Sequence, residues 1–208
     1  MRNFQHKVFQ IFRAGMHTGM NGATLAFSKQ DLEYIAAGYS KTRLRAPLVL
    51  GHPPDNIPDF GEVNALFVTG DALYAEATVN DALIEMVRTG RYKYVSPSLI
   101  TPSAPDNKTP GVYYLRHVGF LGAHPPAVKG MAAPSFSECC ASLSFSESYE
   151  IRDAITHACQ MPVIPAGFRL SEETAPIFML AEEYRRACPQ MNFIEAVQRA
   201  ETSIYPIK

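Results

Sequence analysis

The run VFQIF at 8–12 is rich in strand formers with a single polar residue, Gln10, among apolar ones, and it predicts a first strand. After Ser28 the pattern changes. In SKQDLEYIAAGY the serine is placed to cap a helix, Asp31 lies in its first turn, Leu32, Ile35 and Ala36 share one face, and Gly38 marks the end. APLVLGH is a short continuous apolar run closed by Gly51, the pattern of a strand buried on both faces that opens into a loop at His52. The loop, PPDNIPDFG, is stiffened by three prolines. GEVNALFV and ALYAEATV read as two strands joined by TGD, where Gly70 can supply the positive φ of a hairpin turn. Asn80 or Asp81 caps a helix over ALIEMVRTG. YKYVSPSLI then predicts a strand, TPSAPDNKTPG a loop, and VYYLRHVGFLGA a last strand. The pattern is mostly strands with two interspersed helices.

Beyond Pro126 the texture changes. AAPSFSECCASLSFSES is small, Ser-rich and nearly free of long aliphatics, as a connector is. The reading is a first domain over 1–133, a linker over 134–150 and a helical tail over 151–208. In that tail two helical stretches are separated by Pro189, with Leu180, Tyr184 and Ala187 on one face and Phe193, Ala196 and Val197 on another. Helices this short need a partner surface.

Composition narrows the classes. At 208 residues, 47% hydrophobic and 19% charged, the chain has the make-up of a globular protein with a well-buried core. A net charge of −1 with dispersed Lys and Arg gives no basic stripe to neutralise phosphates, so nucleic acid is not expected as a partner. No apolar stretch approaches the roughly 18 residues of a membrane span, and MRNFQHKVFQIFRAG has charges in every apolar run, unlike a signal peptide. Cys139, Cys140, Cys159 and Cys188 lack CxxC spacing, which argues for free thiols rather than a zinc site.

Of the six histidines, His52 and His117 fall at a strand end and within a strand, where a scaffold can hold them. Acyl transfer at neutral pH needs a nucleophile, a base titrating near neutrality within hydrogen-bond reach of it, and a third group to orient the base. Histidine supplies the base. Ser96 and Ser98 in YVSPSLI are the candidate nucleophiles, restrained by Pro97 between them, and alternation puts both on one face, so spacing leaves both open.

Read in order, the blocks AGMHTG, DLEYIAAGY, APLVLGHPPDNIPDFGEV, MVRTGRYKYVSPSL and PGVYYLRHVGFLGAHPPAVKG resemble successive blocks of the Mu-like prophage I protein, the prohead protease of tailed phages, over about residues 8–131. More distantly, a His after an apolar strand, a Ser in a later strand and a third member downstream is similar to the order in prohead proteases related to herpesvirus assemblin. The resemblance implies an α+β fold, a mixed β-barrel flanked by helices. It implies Ser96 as nucleophile, His52 as general base and His117 as orienter. VSPSL set beside the family's Ser-x-Gly pattern has Ser98 where the family has glycine, so Ser98 is the alternative nucleophile. A histidine in third place stabilises an imidazolium less than a carboxylate does, and slow turnover is expected. The implied function is a capsid-maturation serine endopeptidase cleaving scaffold and itself within the assembling prohead, in the host bacterial cytoplasm. Its implied partners are scaffold and major capsid proteins and further copies of itself, with no cofactor and no metal.

Further positions complete the reading. Gly122 and Ala123 could offer backbone N–H groups as an oxyanion hole, beside His124. Asp55 and Asp59 lie near His52 in sequence, but the prolines among them and the lack of an HxxxH-type pair favour a solvated loop over a metal site. His17 is read as holding a turn. The Ser-rich segment, with small side chains at Ala132, Ala133, Ala141 and Ser142, is the expected place of self-cleavage, between about 132 and 148. The alternative function is a non-catalytic capsid-assembly or scaffold adaptor, and a metal-dependent hydrolase using His52, Asp55 and His117 is the third.

Overall fold

The computed structural model describes residues 4–19, 24–40, 44–122 and 174–205. In chain order they form β1 (Phe4–Arg13), β2 (Gly15–Thr18), β3 (Thr24–Phe27), α1 (Lys29–Ser40), β4 (Leu48–Leu50), β5 (Gly61–Thr69), β6 (Ala72–Asn80), α2 (Asp81–Arg88), β7 (Tyr94–Ile100), β8 (Tyr114–Leu121), α3 (Ala175–Ala187) and α4 (Phe193–Ile204). The Ser-rich connector lies outside the described residues, and so do the boundary at 133, the expected cleavage region, Ala123, His124, Cys139, Cys140 and Cys159.

Local chemistry sets the element ends. Ser28 and Asp31 form a reciprocal capping box, with Asp31 N–H donating to Ser28 Oγ at 3.2 Å and Ser28 N–H to Asp31 Oδ2 at 2.7 Å. The hydrogen bonds from Ser28 hold the Asp31 carboxyl below its ordinary pKa. Asn80 caps α2 by accepting from Leu83 N–H at 2.9 Å. Gly70 takes a φ of 64° in the two-residue turn between β5 and β6. The hairpin of β2 and β3 was not foreseen: its mostly exposed residues give no apolar alternation to read.

The hydrogen-bonded ladders make three sheets, ordered β1-β6-β5, β2-β3 and β4-β8-β7. The first and third enclose one core in which Phe9, Ile11, Leu73, Ala75, Val95, Val118 and Phe120 meet Leu32 and Ile35 of α1 and Leu83 and Ile84 of α2. Each buried aliphatic or aromatic side chain there contributes about 1.5–3 kcal/mol. The architecture is α+β, as expected, but among the described residues the strands do not close into the expected barrel. Two seams lack a ladder. β5 meets β4 through the isolated Pro47–Glu62 bridge and the bonds Phe60 N–H to Leu48 O and Val63 N–H to Ala46 O, while β7 approaches β1 without pairing. Three-residue β4 is too short to carry a ladder on both sides.

β6 is buried along nearly its whole length because both faces are covered. Its second face and β1 receive α3 and α4: Val8, Phe67, Ala72 and Tyr74 share a buried cluster with Leu180, Ala181, Tyr184, Cys188, Met191, Ala196 and Ala200. The expected helical faces hold for Leu180, Tyr184 and Ala196, whereas Phe193, at the first turn of α4, is 44% exposed. No described helix is long and apolar enough to cross a membrane.

Candidate active site

β8 runs between β4, which pairs with it in parallel, and β7, which pairs with it antiparallel. Val118 and Phe120 point into the core, so His117 and Gly119 face the other side, together with their cross-strand partners Ser98 and Ser96. An extra residue on β8 shifts the register between Ser98 and Leu99, and a bulge of this kind re-aims neighbouring side chains.

β4 is followed by Gly51, whose φ of 67° turns the chain over Gly119 of β8. This turn needs room, and Gly119 provides it. A Cβ on Gly119 would stand 2.1 Å from the Gly51 carbonyl oxygen and 3.1 Å from His52 Cε1. The His52 ring therefore lies over a position with no side chain, between Ser96 on β7 and His117 on β8. Its Nε2 is 3.0 Å from Ser96 Oγ and its Nδ1 is 2.8 Å from His117 Nε2. His117 is 1% exposed, and its Nδ1 lies 2.6 Å from Asn56 Oδ1 in the proline-rich loop. Four side chains from three separate segments thus form one hydrogen-bonded row, Ser96, His52, His117, Asn56.

Burial holds the His52 imidazole below its ordinary pKa of 6.5, so it is neutral at pH 7. Burial, then His52 and Arg116, push His117 down to about 4. A neutral imidazole with a bare Nε2 can accept a hydroxyl proton, and a half-buried serine beside it can attack an electrophilic carbon.

The structure brings Ser96, His52 and His117 together as the sequence reading grouped them. Ser98 stands opposite His117 on the ladder, but no hydrogen bond joins it to either ring. Gly122 follows the last residue of β8, three positions on from Gly119. The missing Cβ there accommodates the Arg91 carbonyl, 2.7 Å from where it would stand. Asp55 Oδ1 accepts from Ile57 N–H at 3.2 Å, and among the described residues no three His, Cys, Asp or Glu side chains are grouped to hold a metal ion. His17 bonds through Nε2 to Arg13 O at 2.9 Å, the turn-holding role expected of it. Asn56 and Gly119 are the members the sequence reading missed. For Gly119 a signal existed, since an isolated glycine inside a strand pattern marks a close backbone approach.

No protein-family model matches the chain, and no curated protein matches it by sequence. Among solved structures, Kaposi's sarcoma-associated herpesvirus protease in complex with a hexapeptide phosphonate inhibitor aligns with a TM-score of 0.43 and 11% identity, over 63% of this chain and 64% of that one. The same protease in complex with a dimer disruptor aligns with a TM-score of 0.40 and 13% identity, over 62% and 75%. With an allosteric inhibitor the values are 0.41 and 13%, over 62% and 76%. A likeness of that order fixes neither the fold nor the chemistry of this chain.

Proposed function

We propose that this protein is a serine endopeptidase in which Ser96 is the nucleophile, His52 the general base and His117 its orienter. The observation that carries the reading is the row itself: a serine hydroxyl 3.0 Å from one imidazole nitrogen of His52, with a second imidazole 2.8 Å from the other. In the first half-reaction Ser96 Oγ bonds to the peptide carbonyl carbon while its proton passes to His52 Nε2. The same proton then goes to the departing amide nitrogen as the C–N bond breaks and an acyl-enzyme remains. Water repeats the sequence, giving its proton to His52 and its oxygen to the acyl carbon, and the proton returns to Ser96. His117 Nε2 accepts from His52 Nδ1–H throughout and holds the ring in place. Being neutral, it stabilises the imidazolium less than a carboxylate would, so turnover is slow.

The setting follows from the sequence blocks that resemble the Mu-like prophage prohead protease. Within this reading the substrates are scaffold, major capsid protein and the chain's own connector, cut inside the assembling prohead in the bacterial host. An adaptor with no catalytic role has no use for a nucleophile held on a neutral base.

A fluorophosphonate probe tests the chemistry. It labels the wild-type chain at Ser96 and leaves Ser96→Ala unlabelled, and intact mass followed over days shows slow nicking between about residues 132 and 148 in the wild type alone. Absence of labelling would turn the reading to the adaptor, and loss of peptidase activity on chelation would turn it to a metal-dependent hydrolase.

A further inference from the structure

The loop over His117 ends the hydrogen-bonded row with a group that has no part in acyl transfer itself. We infer that Asn56 is a positioning residue: its Oδ1, accepting from His117 Nδ1, fixes the tautomer of both histidines and so the direction of every proton along the row. The inference rests on the serine-peptidase reading of the site.

The logic is one of donors and acceptors. An amide oxygen only accepts, so the 2.6 Å contact requires the proton of neutral His117 on Nδ1. Its Nε2 is then bare and accepts, which requires the His52 proton on Nδ1, 2.8 Å away. His52 Nε2 is left bare in turn, 3.0 Å from Ser96 Oγ, and the hydroxyl donates to it. Were an N–H presented to His117 Nδ1 instead, each step would reverse. His52 would carry its proton on Nε2 and donate to Ser96, and the nucleophile would have no base. A triad with a carboxylate in third place needs no such end group, because a carboxylate accepts in either orientation. A histidine in third place does, because each of its nitrogens can donate or accept.

The loop is built to hold this amide. Asn56 has a φ of 60°, a conformation that Asn, Asp and Gly adopt readily and other residues resist. Pro53, Pro54 and Pro58 restrict the chain on either side. Asn56 N–H reaches Pro53 O at 3.4 Å, the Arg116 guanidinium donates to Pro54 O, and Asp55 accepts from Ile57 N–H. Arg116 on β8 is the charged side chain that bears on His117, and Asp55 and Asp59 stand in the loop itself.

Asn56→Gly and Asn56→Asp separate this role from a structural one, since both accept the backbone angle. Asn56→Gly loses the acceptor, and kcat falls about 10- to 100-fold with KM little changed, the size of effect that supporting hydrogen bonds have at other histidine sites. Asn56→Asp keeps the acceptor and adds a negative charge. It restores kcat to wild type or above, and the acid limb of kcat/KM moves to higher pH because the carboxylate favours the protonated imidazoles. Nitrogen NMR of isotope-labelled imidazoles reads the tautomers without any reaction: both rings carry the proton on Nδ1 in the wild type, and the two forms mix in Asn56→Gly. Wild-type kcat in Asn56→Gly, an aspartate variant as impaired as the glycine one, or an Nε2 proton on His52 in the wild type would each overturn the inference. A chain that shows the Nδ1 tautomers yet does not label at Ser96 would overturn the peptidase reading and leave the tautomer assignment standing.

Discussion

Two rows of polar side chains run through buried parts of this molecule, on the two strand systems, and they are built to different ends. One is Ser96, His52, His117 and Asn56 on the β7–β8 side. The other centres on Glu76 of β6, 1% exposed, whose carboxylate accepts from Tyr184 Oη at 2.7 Å and Ser203 Oγ at 2.5 Å, with Lys7 and Glu183 paired nearby at 3.3 Å. In the second row Glu76 is met from α3 and α4 and Glu183 of α3 is met by Lys7 of β1, so the two helices are fastened over β1 and β6. In the first row the groups are neutral imidazoles with protons that can move, and it ends at a serine open to solvent on one side. Burial of polar groups is therefore no mark of function by itself. What differs is whether the row closes on the protein or stops at a half-buried serine, the proposed nucleophile.

The largest effects break the two rows separately. Ser96→Ala removes the proposed nucleophile and should abolish acyl transfer by roughly 10⁴-fold or more while leaving the unfolding midpoint almost unmoved, because Ser96 and His52 are only half-buried and water can take the place of the hydroxyl at His52 Nε2. Glu76→Ala does the reverse. It strands the Tyr184 and Ser203 hydroxyls under the helices and should cost about 3 kcal/mol in denaturant unfolding, with kcat of the folded fraction unchanged. Loss of activity in Glu76→Ala, at a concentration of denaturant where the chain stays folded, would mean that the two rows are coupled and the comparison is false.

Two glycines sharpen it. Gly61, in the sheet under the helices, has a φ of 136° and would put a Cβ 2.0 Å from Thr78 O, while Gly119 would put one 2.1 Å from Gly51 O with the His52 ring next to it. Both alanine variants disturb backbone. Gly119→Ala also displaces His52, the proposed base, and an error of about 1 Å in its position should lower kcat roughly 100-fold, out of proportion to the lost stability. Gly61→Ala should lose stability and keep kcat. Equal kcat losses in the two would deny Gly119 its place in the site.

What the sequence made legible follows the same division. Caps and turns at Ser28, Asn80 and Gly70 could be read because their chemistry lies within three or four residues of chain. The grouping of Ser96, His52 and His117 came from resemblance to a family, since strand patterns placed each on an element but no pattern placed the elements together. Asn56 stayed hidden because its partner is 61 positions away and its loop reads as prolines and solvated carboxylates. The covering of β6 was hidden too. Leu73, Ala75, Ala77 and Val79 announce one apolar face, whereas Ala72, Tyr74 and Glu76 on the other reveal nothing of the helices that follow a hundred residues later.

The smallest effect expected is one of pH, and it is read at the first row. The proposed catalysis needs His52 neutral, and burial sets its pKa below 6.5, so kcat/KM should be level at neutral pH and fall only on acidification below that value. A second loss should follow near pH 4, where His117 takes a proton, ceases to accept from His52 and faces it as a like charge. Stability runs the same way. The unfolded chain binds protons at both histidines from about pH 6.5, but the folded chain does not until lower pH, so the unfolded state holds more protons in that window and stability rises with pH across it. On acidification the contribution of His117 is lost from about 6.5 down to about 4. Tyr184, raised by burial and by Glu76, keeps its proton throughout, so the hydroxyl that fastens α3 is unaffected. Unfolding midpoints of the wild type and of His117→Gln between pH 7 and pH 4 check this. The wild type should lose more than the variant as the pH falls, and parallel curves would mean that the buried histidine contributes nothing to the acid sensitivity of the fold.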